Sequence, residues 1–193
     1  MGAKCVKRRA MLTAIGTVAV AGCSASGDFG KDGNTSTEGV LADVPDDKVL
    51  SMGESTEYDA ILMEATRLKS RSSVEYTNRE EEEIKTWDPG DGLEIFVAGL
   101  RAENLSNDRL EYPTWDQFQL VTTEGTVDPI LKTPDGTSVD EIREPMVSWP
   151  GSTGVRAGTH SGWDNVYVAP TSETGRYAVK WVRQEGPIYW RSD

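Results

Sequence analysis

The chain has 193 residues, 37% of them hydrophobic, and sets 32 Asp and Glu against 20 Lys and Arg for a net charge of −12. A surface so acidic repels a phosphate backbone and offers no basic stripe to release counterions, which excludes nucleic acid as a partner. One histidine and two cysteines exclude a blue-copper site by count, and the length fits one globular domain with appendages.

In chain order, the first ten residues carry Lys4, Lys7, Arg8 and Arg9 and no acid. Residues 11–22 (MLTAIGTVAVAG) carry no charge, and Cys23 opens a polar run. This is the layout of a secretory signal. Twelve residues make about 18 Å of helix, short of the roughly 30 Å of a bilayer core, so the stretch does not read as a membrane span. Val20-Ala21-Gly22-Cys23 resembles the lipobox of bacterial and archaeal lipoproteins. That resemblance implies cleavage before Cys23 and a lipid on its sulfur, and so a protein held on the outer face of the cell membrane. Arg8-Arg9-Ala10-Met11-Leu12 resembles a twin-arginine export signal, with Lys7 where that pattern has Ser or Thr. Removal of residues 1–22 takes away four cations and Cys5, shifts the net charge from −12 to −16, and leaves Cys23 as the one cysteine. No internal disulfide is then available, so stability has to come from packing.

Residues 23–53 are rich in Gly, Ser, Thr and Asp and poor in large apolar side chains. Such a stretch cannot offset its ordering entropy by burial, which predicts a flexible acidic linker ahead of a folded domain over residues 54–193. Residues 58–68 (YDAILMEATRL) read as the domain's first strand, although their spacing also passes for a short helix. The four consecutive glutamates at 80–83 read as a mobile, hydrated loop. Beyond them Phe96, Ala98, Leu100 and Ala102 alternate with Val97, Gly99, Arg101 and Glu103. Phe118 and Leu120 lead into a Glu124-Gly125 turn, and Val166 and Val168 stop at Pro170. Tyr177, Val179 and Trp181 alternate again before a turn at 184–187 and a last apolar run at Ile188. Short period-two runs between Gly, Pro and Asp turns predict an all-β fold, an antiparallel sandwich or barrel.

Phe96-Val97-Ala98 followed by Asn104-Leu105-Ser106-Asn107 and Leu110, with Phe118-x-Leu120 ahead of its hairpin and Gly162-Trp163 leading to Val166-Tyr167-Val168-Ala169-Pro170, is similar to a known family. That family is the telokin-like, immunoglobulin-like domain found behind flexible linkers in many prokaryotic lipoproteins. The similarity covers roughly residues 58–183, with a long insert at 129–150 as the departure. It implies an immunoglobulin-like antiparallel β-sandwich with no catalytic residue and no cofactor. The acidic composition further resembles that of proteins from salt-loving archaea, where dense carboxylates keep a surface hydrated under strong screening. A modestly acidic mesophilic surface explains the same charge.

The inventory for catalysis is thin. His160 is the only histidine and sits in a loop-like GTHSG stretch, and no nucleophile elbow, phosphate loop or paired-histidine motif is present. Asp88, Asp91 and Glu94, spaced by three around a Pro-Gly turn, are the weak candidates for Ca²⁺, which needs six to eight oxygens. Asn34 and Asn104 each open an Asn-x-Ser pattern, a possible glycosylation acceptor outside the cell. Of the six tryptophans, Trp163 and Trp181 read as core. Trp87, Trp115, Trp149 and Trp190 flank turns, and the first three are candidates for a ligand-contacting face. Together these point to a non-catalytic, lipid-anchored surface protein whose sandwich binds another envelope component, a protein or a glycan. A stalk or spacer without a ligand is the alternative, and an enzyme built on His160 or a carboxylate pair is a third.

Overall fold

The computed structural model describes residues 40–143, 154–171 and 176–192. The described residues form eleven strands: β1 (Val49–Ser51), β2 (Ser55–Tyr58), β3 (Ile61–Arg71), β4 (Val74–Asn78), β5 (Glu83–Trp87), β6 (Leu93–Asn104), β7 (Phe118–Thr122), β8 (Gly125–Val127), β9 (His160–Pro170), β10 (Ala178–Trp181) and β11 (Ile188–Arg191). They build a β-sandwich. One sheet has the order β1-β11-β10-β7-β8, the facing sheet β2-β3-β6-β9, and β4-β5 form a separate hairpin. Pairing is antiparallel except between β1 and β11.

The period-two pattern does what it predicts. Phe96, Ala98, Leu100 and Ala102 of β6 face inward beside Met63 and Ala65 of β3 and Trp163, Tyr167 and Ala169 of β9. They meet Phe118 and Leu120 of β7, Val179 and Trp181 of β10, and Ile188 and Trp190 of β11. The phenyl ring of Phe118 stacks on Trp181 at 5.9 Å and meets Trp163 edge-on at 5.8 Å, the offset and T-shaped geometries that aromatic pairs favour. Trp190, expected beside a turn, is fully buried, and its Nε1–H donates to the Glu54 carbonyl at 2.7 Å. That bond ties the last strand to the crossing between the two sheets.

Three expectations need correction. Residues 58–68 are not the first strand. Tyr58 ends β2, Asp59 and Ala60 make a tight turn with positive φ, and β3 starts at Ile61 as the third strand. Nor does the linker extend to residue 53. Leu41 is buried with Val121 and Ala178 on the outer face of the five-stranded sheet, and residues 49–51 add to that sheet's edge. A few apolar side chains inside a polar run (Val40, Leu41, Val44, Val49) suffice to dock it. The glutamate run, finally, is an exposed turn at residues 80–82 but not a loop over its whole length. It caps the β4-β5 hairpin, where the Asn78 Oδ1 accepts from the backbone N–H groups of Glu80 and Glu81, and Glu83 already belongs to β5.

The four-stranded sheet is covered on its outer face as well. Ile95 of β6 and Val166 of β9 point away from the main core and join Val74 and Tyr76 of β4, Trp87 of β5, and Val139 and Ile142 in a second cluster. Residues 129–143, the described part of the expected insert, run across this face. They bridge to β9 at Ile130–Val166 and to β4 at Tyr76–Ile142. Further along the same face the chemistry turns ionic. Arg67, Gly99 and Asp164 stand side by side on β3, β6 and β9. The Arg67 guanidinium crosses β6 to reach both carboxylate oxygens of Asp164, at 2.8 and 3.0 Å. Glycine is required between them: a Cβ on Gly99 would lie 2.8 Å from the Arg67 Cγ and 2.7 Å from the Thr66 Oγ1.

The Asp164 side chain is 2% exposed and that of Arg67 39%. Replacing Arg67 by Met removes both of these bonds from a buried carboxylate and is expected to cost about 2–3 kcal/mol, somewhat less than for a fully buried pair because water reaches the arginine side. At about 2–4 °C per kcal/mol, thermal unfolding should show a drop of roughly 4–12 °C. The double change Arg67→Met with Asp164→Leu should recover most of the loss, whereas an equal loss in both variants would show that the ion pair itself is not the source.

Candidate functional site

Five of the residues that the sequence singles out (Arg8, Arg9, Cys23, Asn34 and Trp149) lie outside the described residues. The structure separates the rest. Trp87 is 7% exposed and packs in the second cluster opposite Val74, its partner in the hairpin, so it offers no surface to a ligand. Its position beside Asp88 and Pro89 suggested a turn-flanking ring, but the side chain belongs to the inner face of β5. Asp88 accepts a hydrogen bond from the Gly90 N–H and so caps the turn before β6. Asp91 is exposed and Glu94 half-buried, and among the described residues no three His, Cys, Asp or Glu are gathered where they could hold a metal ion. His160 is exposed at the first position of β9, opposite Glu103.

Asn104 is fully buried and its amide is fully used. The Nδ2 donates to the carbonyls of Asp108 at 2.6 Å and Val155 at 2.9 Å, while Oδ1 accepts from the Ser106 N–H and hydroxyl. A glycan on that nitrogen would displace one of these bonds and has no room, so in the folded protein Asn104 shapes the turn after β6 instead.

Among the described residues, Trp115 is the one candidate aromatic that the fold leaves half-exposed. It opens a 3₁₀ turn (Trp115–Gln117) just before β7. Its carbonyl accepts from the Nδ2 of Asn165, a buried residue of β9 that also donates to the Tyr167 hydroxyl. Burial pushes the Tyr167 phenol up, so it stays a neutral anchor for this network. Around the same end of the sandwich, the Val182 N–H bonds the Gln117 carbonyl and the Leu105 N–H bonds the Ala60 carbonyl. Val182 and Leu105 are 41% and 48% exposed. The Arg183 guanidinium lies 4.9 Å above the Tyr58 ring and 5.3 Å above Trp181. This loop-bearing end thus combines an indole, a phenol, two aliphatic side chains and a cation on a rigid floor. Such a surface suits binding by contact area.

A second locus is a polar cleft of about 240 Å³ between the hairpin tip and residues 135–141, lined by Asn78, Arg79, Asp135, Thr137, Ser138 and Glu141 among others. Asp135 is its hub. It accepts from the hydroxyls of Thr133 at 2.6 Å and Tyr76 at 2.8 Å, from the Asn78 amide at 3.2 Å and from the Thr137 N–H at 3.2 Å, with the Lys85 Nζ 3.6 Å away. The Thr133 hydrogen bond above all, then those of Tyr76 and Thr137, hold the Asp135 carboxyl well below the usual carboxylate range. Arg79 closes the rim on Glu141 at 2.8 Å. No motif announced this cluster, because its members are dispersed from Tyr76 to Glu141 and meet only through the fold. Every polar group at its centre is satisfied within the protein, which marks it as a fastening between insert and hairpin.

No family model and no curated protein matches the chain. Solved structures that are similar to it include an uncharacterised β-sandwich protein from Clostridium difficile, at 9% identity and a TM-score of 0.46 over 76% of this chain and 94% of the other. A conserved hypothetical protein from Bacillus anthracis is similar at 15% identity and a TM-score of 0.49, over 67% and 87%. MPT63, a secreted protein from Mycobacterium tuberculosis, is similar at 11% identity and a TM-score of 0.39, over 75% and 96%.

The lowered pKa of Asp135 fixes the direction of a pH effect. A carboxyl that ionises more readily folded than unfolded adds stability that is fully present above the unfolded value, near 4, and is lost as pH falls towards the folded value. Asp135→Asn should therefore melt below the parent protein by a constant margin from about pH 7 to pH 5, and the margin should narrow below about pH 4. A margin that widens in acid would contradict the assignment.

Proposed function

We propose that this chain is a lipid-anchored, non-catalytic protein of the outer membrane face whose β-sandwich binds another component of the cell envelope. The reading is supported at two levels. The N-terminal sequence, with four cations, an uncharged run and Cys23, is the kind that export and lipidation machinery recognises. Among the described residues no helix is long and apolar enough to cross a membrane, and in this reading the lipid on Cys23 is the anchor.

The observation that carries the binding function is Trp115. A half-exposed indole, its backbone held by Asn165 in a turn that also bonds the exposed Val182, has no evident work in the core. Rigid aromatic rings in such settings provide large contact area at low entropic cost. Catalysis has no comparable support, since His160 stands exposed at a strand start with Glu103 as its cross-strand neighbour. Acidic surface charge keeps such a domain soluble at high local density and gives it a bias toward cationic partners.

The test uses the full chain in cells. Cys23→Ser should move the protein from the membrane fraction to the medium, and a variant that stays firmly in the membrane contradicts the anchor. With the anchor intact and the protein displayed on vesicles, Trp115→Ala should lower retention of solubilised envelope material by about tenfold or more, as for a central contact residue. Retention indifferent to Trp115→Ala would instead favour a spacer with no specific ligand.

A further inference from the structure

Among the described residues the β4-β5 hairpin has one edge covered and one edge with no strand beside it. On the covered side, β4 bridges to Ile142 through Tyr76, and the Arg143 N–H donates to the Glu75 carbonyl at 2.8 Å. On the other side β5 pairs with β4, and no described residue makes a backbone hydrogen bond to its far edge. The register says which groups are open. In an antiparallel pair, residues alternate between those that bond to the partner strand and those that point away from it. Because the Glu75 carbonyl points away from β5, Glu75 and Thr77 are the outward members of β4. Their partners Thr86 and Ile84 therefore direct their N–H and C=O groups to the open side.

The surroundings of this edge have a sign. Glu80, Glu81, Glu82 and Glu83 are all exposed at one end of β5, and Asp88 and Asp91 are exposed beyond the other. The cation of the strand, Lys85, is already engaged by Glu81 and Asp135. Among the described residues Glu80, Glu82 and Glu83 have no cationic partner. On the solvent face Ile84 is 58% exposed beside Thr77 and Thr86, an apolar step of the size that one incoming side chain covers. Open strand edges are ordinarily blunted because they template pairing with another chain. Here the acids discourage pairing with a second copy, whose β5 would bring the same charges, while leaving the main-chain donors and acceptors available.

We propose that the free edge of β5 is a docking strand for an extended, Lys- or Arg-bearing segment of another protein, which adds as a further strand along Ile84 and Thr86. Main-chain bonds give the affinity, and the flanking carboxylates select the charge and speed the encounter. The surface lies apart from Trp115 and stands whether or not that end binds anything.

A labelled nine-residue peptide of alternating Lys and Val, titrated into the full-length protein by fluorescence anisotropy, tests the proposal. Binding should saturate and weaken as salt rises. An otherwise identical peptide with Asp in place of Lys should bind at least tenfold more weakly. Thr86→Pro, which removes an edge N–H that β4 does not use, should also weaken binding at least tenfold. Should that variant fail to fold, methylation of alternate peptide nitrogens tests the same contact on the unaltered protein and should abolish binding. No saturation, equal binding of the Asp peptide, or indifference to N-methylation would overturn the proposal, as would concentration-dependent pairing of the protein with itself through β5.

Discussion

The structure depends on β6 being buried from both sides. Its inner face carries the aromatic core shared with β7, β9, β10 and β11, and at Ile95 its outer face is as fully buried as the inner one. A sheet covered twice needs a second layer, and packing makes it. Residues 129–143 and the β4-β5 hairpin supply it. Once they are in place, other features follow: Asp135 fastens the two pieces together, and β4 is closed on one side by Ile142 and Arg143. No described residue pairs with the hairpin's remaining edge, on β5. Where that cover ends, Gly99 lets Arg67 reach Asp164, so the sheet's outer face passes from apolar to ionic.

How much of this was legible in the sequence follows from the range of each interaction. The inner face of β6 was readable because alternation is local, and so were β7, β9, β10 and β11, each bounded by Gly, Pro or Asp turns. The two-sided burial was not. Ile95-Phe96-Val97 is three apolar residues in a row, which breaks alternation and was the available hint of a covered outer face. The hairpin was hidden by the glutamates at its tip, whose polarity outweighs the short apolar positions Val74, Tyr76 and Trp87. The docking of Leu41 and the pairing of β1 with β11 join residues about 140 positions apart at most, and three-residue strands leave no periodic trace.

The candidate sites divide along the same line. Counting residue types was enough to set aside copper chemistry and to leave His160 without a second histidine, and geometry then withdrew Trp87 and Asn104 by burying them. Trp115 survives because the fold holds its backbone and leaves its ring at the surface. The acid run, which the sequence offered only as a solvated stretch, acquires meaning from its neighbour: a strand edge with no described strand beside it. Charge alone says little about a partner, but charge beside open main-chain groups specifies both a shape and a sign.

Residue-resolved amide hydrogen exchange of the full-length protein tests this account most directly, because double burial of β6 and an open edge on β5 make opposite demands. The β6 amides from Ile95 to Leu100 should exchange only through global unfolding, at the slowest rates in the chain. Within β5, the amides of Ile84 and Thr86 should exchange far faster than that of Lys85, which bonds to β4. Protection of Ile84 and Thr86 equal to that of Lys85 would mean that the edge is already covered, and fast exchange at Ile95 would mean that the second layer does not hold the sheet it is built to cover.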